Sequence, residues 1–366
     1  MQYRKYGVAL AIFLMFIALL TGCGRNTTDE QISSSRVEVV TETVEKGRAA
    51  TEESVAEATV DTEKSTDAPE DHIKTSYTAD TKVLAVIEDP VFQGYGRLIF
   101  PAGSTINESM TLREAGGLLP WYSPNVNPER TVEIVNYMKS KAEAGEQIFY
   151  DIYTDEEKAA DPAKKNTGLF FFRGNPGEKF AIVNAGGGFA YVGAMHDSFP
   201  HALELSKKGY NAFALIYRPG SQIASEDLAR AIAFIFEHAD ELEVDTADYS
   251  LWGGSAGARM AAWLGSYGTA AFGEAEYPRP AAVIMQYTGL TEVNGNEPPT
   301  YAGVGTGDGI ASYRIMENRI NQIKANGTDA EIEIFANLPH GFGLGEGTIA
   351  EGWIDHAVEF WRNQMD

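Results

Sequence analysis

Sulfur and positive charge are what this sequence has least of. Cysteine occurs once, at Cys23. No disulfide can close within the chain, and no thiolate cluster can hold a metal. Lys and Arg number 29 against 52 Asp and Glu, giving a formal net charge of −23. That balance argues against nucleic acid as a partner, because phosphate binding needs clustered cations. Histidine is scarce too, at six residues, so each one can be weighed individually. No internal repeat is visible. What remains is ample for a core: 366 residues, 44% of them hydrophobic, suit one large domain or two small ones.

The N-terminus reads as an address. Arg4 and Lys5 precede an apolar run over residues 8–20, too short for a comfortable membrane span. Leu20-Thr21-Gly22-Cys23 follows. A basic start, a short apolar stretch and small residues at the cut form a secretory signal. The last four residues resemble a bacterial lipobox. That resemblance implies cleavage before Cys23 and a diacylglycerol on its thiol, so the expected location is the extracytoplasmic face of the cell membrane, with the membrane itself as a partner. Residues 24–80 are dominated by Thr, Ser, Glu, Asp and Ala, with Tyr77 as their aromatic exception. Such a segment buries too little apolar surface to offset its ordering entropy and is expected to be a disordered tether.

From residue 81 onward apolar density rises. Residues 82–87, 96–100, 147–153 and 168–173 read as strands, and 131–144 as an amphipathic helix. A regular alternation follows. Strands are expected at 180–184, 211–217, 249–252, 281–287, 301–305 and 331–335. Helices are expected at 198–208, 225–239, 256–264, 311–325 and 350–364. The implied class is α/β, with a mostly parallel central sheet flanked by helices. Active sites in such sheets lie beyond the carboxyl ends of the strands.

Two glycine-rich turns sit there. Gly253-Gly254-Ser255-Ala256-Gly257 is a G-x-S-x-G between an expected strand and an expected helix, the context that makes Ser255 a candidate nucleophile. The turn is tight enough that side chains beside the serine would collide, and the following helix brings its positive end to the site. Upstream, Asn184-Ala185-Gly186-Gly187-Gly188-Phe189 follows a strand. Consecutive glycines let N–H groups turn toward a bound oxygen. A phosphate-cradling loop would need a following Lys-Ser/Thr, which is missing.

In this order the two turns resemble the esterase and acetylesterase branches of the α/β-hydrolase superfamily, most closely the hormone-sensitive-lipase-like and carbohydrate-acetylesterase groups. The similarity runs from about residue 180 to the C-terminus. It implies an α/β-hydrolase fold over residues 81–366 and oxyanion donors at the N–H groups of Gly187, Gly188 and Ala256. It also implies a Ser-His-Asp triad that needs no metal or cofactor. Ala185 departs from the family, which carries His in that place.

Of the histidines, His72 lies in the tether, His238 is expected to cap a helix end in solvent, and His356 sits in the last helix. His196 and His201 follow the glycine loop, as pocket lining or helix caps. His340, in Leu338-Pro339-His340-Gly341, lies between the last strand and the last helix, where the family carries its base. His196 is second, as a substrate contact. In the family's chain order the acid falls between Ser and His. Asp308, in Gly305-Thr306-Gly307-Asp308-Gly309, fits, and Glu292 is the alternative. Trp121-Tyr122 and Tyr217-Arg218 are candidates for the mouth. The expected substrate is a small-molecule or oligosaccharide ester, with acetylated carbohydrate foremost. A prolyl-oligopeptidase-like peptidase would use the same triad, and a non-catalytic binding lipoprotein would need none of it.

Overall fold

The structure, a computed structural model, describes residues 76–365. The expected secretory signal with Cys23, and the expected tether up to residue 75, lie outside them. Eight strands form one sheet: β1 Phe149–Tyr150, β2 Gly168–Phe172, β3 Lys179–Asn184, β4 Asn211–Ile216, β5 Asp245–Gly254, β6 Ala282–Gln286, β7 Thr300–Gly305 and β8 Ala330–Phe335. Their order is β1-β2-β4-β3-β5-β6-β7-β8. β2 runs antiparallel to β1 and β4, and every other pair is parallel. This is the α/β-hydrolase fold. Every residue of β2, β4, β6 and β7 is buried, as continuous apolar strands covered on both faces should be. β8 closes the far edge and carries the exposed Glu331 there, a charge that guards that edge against further pairing.

Among the described residues ten α-helices accompany the sheet: α1 Val83–Ile87, α2 Pro128–Glu143, α3 Asp155–Ala160, α4 Ala194–Asp197, α5 Phe199–Lys207, α6 Ser221–Glu237, α7 Ala239–Leu242, α8 Ala256–Tyr267, α9 Tyr313–Ala325 and α10 Trp353–Arg362. Neighbouring residues of β5 face opposite sides. Trp252 meets Trp353 and Trp361 of α10, and His201 of α5 packs on the same Trp353. Gly253, on the other side, lies against Gly257 of α8, beside which α6 packs. None of the helices among the described residues is long and apolar enough to cross a membrane.

The first part of the body departs from expectation. Of residues 82–87, expected as a strand, 83–87 form α1 and Lys82 makes only an isolated bridge to Thr111, because Val83 and Val86, three apart, are the pair that reaches the core. Residues 96–98 make a 3-10 turn, with Gly96 pressed so close to Ile87 that a Cβ would lie 2.2 Å from its carbonyl oxygen. The strand expected at 147–153 shrinks to the two residues of β1, which pair with Phe170 and Leu169. The composition boundary at residue 80 also falls late. Tyr77 is buried, its N–H bonds to Asn136 Oδ1 at 2.8 Å, and its hydroxyl donates to Asp89 at 2.6 Å. The helix expected at 225–239 starts earlier, at Ser221, so Ser225 lies inside it and donates to the Ser221 carbonyl at 3.0 Å. The last helix begins only after Gly352, whose φ of 90° starts it afresh at Trp353.

Candidate active site

β3 and β5 are neighbours, and the chain leaves them for opposite halves of the sheet. The loops after both strands therefore meet at the switch point. The turn after β5 carries Ser255 with φ 52° and ψ −112°, a strained backbone for a residue with a Cβ, of order 1–3 kcal/mol. It is held by a bond from the Ser255 N–H to the Gln286 carbonyl at 2.9 Å. Its glycines are imposed by contact. A Cβ at Gly257 would lie 1.9 Å from the Asn184 carbonyl oxygen, and one at Gly253 would lie 2.3 Å from the Gly257 carbonyl carbon. α8 starts directly after the serine, so its positive end faces the site.

His340 reaches the serine from the loop after β8. Its Nε2 is 3.1 Å from Ser255 Oγ, and its Nδ1 is 2.8 Å from Asp308 Oδ2. The Asp308 side chain is fully buried, and its other oxygen accepts the N–H groups of Ile310 and Ala311 at 2.8 and 2.7 Å. Both carboxylate oxygens are thus occupied, and the acid is fixed in rotamer. Glu292, the alternative acid, is exposed and accepts from the Tyr267 hydroxyl instead. The His340 loop is also braced from the N-terminal part of the body. Asn125 Nδ2 donates to the carbonyls of His340 and Gly341 at 3.2 and 2.9 Å.

The loop after β3 faces Ser255. Gly187, Gly188 and Phe189 all have positive φ (127°, 60° and 59°). The Gly186 N–H is used, donating to Asp197 Oδ2 at 2.7 Å. Those of Gly187, Gly188 and Ala256 find no acceptor among the described residues. Ala185 is buried, and its carbonyl accepts from Tyr217 at 2.7 Å.

The other histidines separate cleanly. His196, expected as a substrate contact, is buried, stacks on Tyr122 at 5.1 Å, and holds the Gly341 carbonyl through Nε2 at 2.8 Å. Burial lowers its pKa, so the neutral ring donates there and props the His340 loop. His201 is buried with neither ring nitrogen hydrogen-bonded, and burial pushes its pKa down to about 3. His238 does cap α6, through Nδ1 to the Phe234 carbonyl at 2.9 Å, but it is half-buried against the Phe234 ring. His356 is exposed and pairs with Glu333.

Asp197 escaped sequence reasoning altogether. This buried carboxyl lies under the Ser255 turn, where a Cβ at Gly254 would come within 2.5 Å of its oxygens. It accepts from Gly186 N–H, Tyr122 at 3.1 Å, and Tyr287. Burial raises its pKa. Its place, at the end of the short α4, carries no pattern to read. Asn125 was equally silent, in a stretch of turns.

Residues 175–302 match the family model BD-FAE. The match includes the β3 loop and Ser255 and ends before Asp308 and His340. None of the curated proteins compared matches the chain. Among solved structures the chain is similar to esterase 2 of the planctomycete Thermogutta terrifontis. The propionate-bound form is 21% identical, over 54% of this chain and 89% of that one, with a TM-score of 0.48. The butyrate-bound form is 18% identical, over 59% and 93%, with a TM-score of 0.49. MGS-M1, an α/β hydrolase from a Medee basin deep-sea metagenome library, is 18% identical over 54% and 92%, with a TM-score of 0.47.

Proposed function

We propose that the chain is a serine carboxylic-ester hydrolase acting through Ser255, His340 and Asp308. The observation that carries this reading is the continuous run of contacts from Asp308 through His340 to Ser255, at 2.8 and 3.1 Å. With its proton on Nδ1 and bonded to Asp308, His340 presents a free lone pair on Nε2 to the serine hydroxyl. Ser255 Oγ attacks the ester carbonyl carbon as its proton passes to Nε2. The carbonyl π electrons move onto oxygen, which the unpaired N–H groups of Gly187, Gly188 and Ala256 receive, at a few kcal/mol per donor. Collapse expels the alcohol, which leaves with the proton from Nε2. Water, deprotonated by His340 in the same way, then releases the acid and restores the serine.

Short-acyl esters, acetyl esters of carbohydrates first, are the proposed substrates, as suits an enzyme tethered outside the cell. The anchor is the diacylglycerol on Cys23, with residues 24–75 as the spacer. Radiolabelled palmitate should enter the protein in cells and be lost in Cys23→Ser.

The test of the reaction is hydrolysis of p-nitrophenyl acetate and longer acyl esters by wild type and Ser255→Ala, with a fluorophosphonate label located by mass spectrometry. Turnover and label should both vanish in the variant. Wild-type protein that neither turns over nor labels would overturn the mechanism and leave a binding lipoprotein. Labelling without ester turnover, joined to cleavage of peptides, would make it a peptidase.

A further inference from the structure

The N-terminal part of the body puts an uncovered aromatic ring at the rim of this site. Trp121 is 49% exposed, whereas Trp252, Trp353 and Trp361 are fully buried. Its six-membered ring lies over the glycine loop, where a Cβ at Gly188 would come within 2.6 Å of it. Tyr191 flanks the indole at 5.4 Å between ring centres, tilted by 30°. The backbone beneath the indole is tied to the core by the next residue. Tyr122 is buried, bonded to Asp197, and so close to Gly341 that a Cβ there would meet its ring at 2.5 Å. A half-exposed aromatic surface beside a reaction centre is suited to contact with a ligand.

Its position selects which part of the ligand. The leaving oxygen must lie at His340 Nε2, which protonates it. Trp121 belongs to the segment that packs on the His340 loop through Tyr122 and Asn125. It overhangs Gly188, one of the proposed oxyanion donors, at the rim of the loop that faces Ser255. We propose that Trp121, backed by Tyr191, is the platform on which the pyranose ring of the leaving alcohol stacks. The C–H bonds on one face of a pyranose carry partial positive charge and meet the negative face of the indole. A neutral sugar also meets no repulsion from a chain of net charge −23.

This inference rests on the ester-hydrolase reading, and two measurements separate the two. The first compares wild type, Trp121→Ala and Trp121→Phe on methyl tri-O-acetyl-β-xylopyranoside and on ethyl acetate. Both substrates would leave the same acetyl group on Ser255 and differ only in the alcohol. Trp121→Ala should lower kcat/KM about tenfold more on the sugar acetate than on ethyl acetate, mainly through KM, and Trp121→Phe should recover most of it. Equal losses on both acetates overturn the platform. So does a loss that follows acyl chain length instead of the alcohol. The second titrates Ser255→Ala with the same sugar acetate by tryptophan fluorescence, where the expected quench should be absent in Ser255→Ala/Trp121→Ala. Such a quench with no wild-type hydrolysis would sink the ester reading and keep the sugar site. Hydrolysis without a Trp121-dependent quench would sink the platform and keep the hydrolase.

Discussion

Two stretches of the chain meet at Ser255 and could hardly be built more differently. From β3 to α10 the body is a repeating alternation of strand and helix. It supplies the serine, the histidine, the acid and the glycine loop. From residue 76 up to α2 the described chain has one short α-helix and four 3-10 segments, and it supplies Trp121, Tyr122 and Asn125. The first stretch makes its geometry from backbone. The serine turn is fixed by glycines packed so tightly that an added Cβ would lie about 2 Å from neighbouring backbone, and by the Ser255 N–H bonded to the end of β6. The second works through side chains reaching across, such as Asn125 to two carbonyls and Tyr122 to Asp197. A periodic scaffold can define where reacting groups stand, and an irregular segment laid over it can adjust how firmly they stand and what they meet.

The largest effect expected from this division belongs to the periodic part. Asp308→Asn keeps the shape of the loop but offers His340 Nδ1 a carboxamide in place of a carboxylate, favouring the wrong tautomer. kcat on p-nitrophenyl acetate should fall by about 10³–10⁴ with little change in the thermal midpoint. A loss below tenfold would mean that Asp308 only shapes its turn. Next comes stability in the same part. His201 stays neutral in the fold because burial depresses its pKa from 6.5 to about 3. A depressed folded pKa gives stability that is present above pH 6.5 and lost as pH falls toward the folded value, since the unfolded chain takes up the proton first. Between pH 7 and 5 this one residue should cost about 2 kcal/mol of unfolding free energy. Denaturant titrations at the two pH values should show that difference shrink in His201→Phe. An unchanged difference would mean that His201 is protonated or hydrated in the native state.

The same division explains which features are legible in the sequence. Strands such as β4 and β6 announce themselves because burial on both faces requires uninterrupted apolar residues. Ser255 and Gly187-Gly188 could be found because tight turns demand glycine at fixed offsets. His340 and Asp308 became candidates through the chain order that the resemblance implies. Asp197 could not be found, since its role comes from three donors brought from residues 122, 186 and 287. Nor could the helical state of residues 83–87, where β-branched residues favour a strand and only the tertiary contacts of Val83 and Val86 decide otherwise. His196 fell between the two. Its proximity to the site was legible, but its burial behind Gly341 was not.

The smallest effect tests the irregular stretch most directly. Asn125→Ala removes two donors from the carbonyls of His340 and Gly341 while leaving every proposed reacting group in place. Losing two such bonds at a partly buried site costs about 1–2 kcal/mol if the loop keeps its position, and less if it relaxes. A relaxed loop moves Nε2 from its 3.1 Å approach to the serine. kcat should then fall about tenfold with KM little changed, because alignment and not ground-state binding is lost. Asn125→Asp sharpens the comparison. It keeps the size but sets carboxylate oxygens against carbonyl oxygens, so it should fall below the alanine variant in kcat. If both variants lower the unfolding midpoint and leave kcat at the wild-type value, the segment from residue 76 to α2 is a cover for the scaffold and takes no part in holding the histidine.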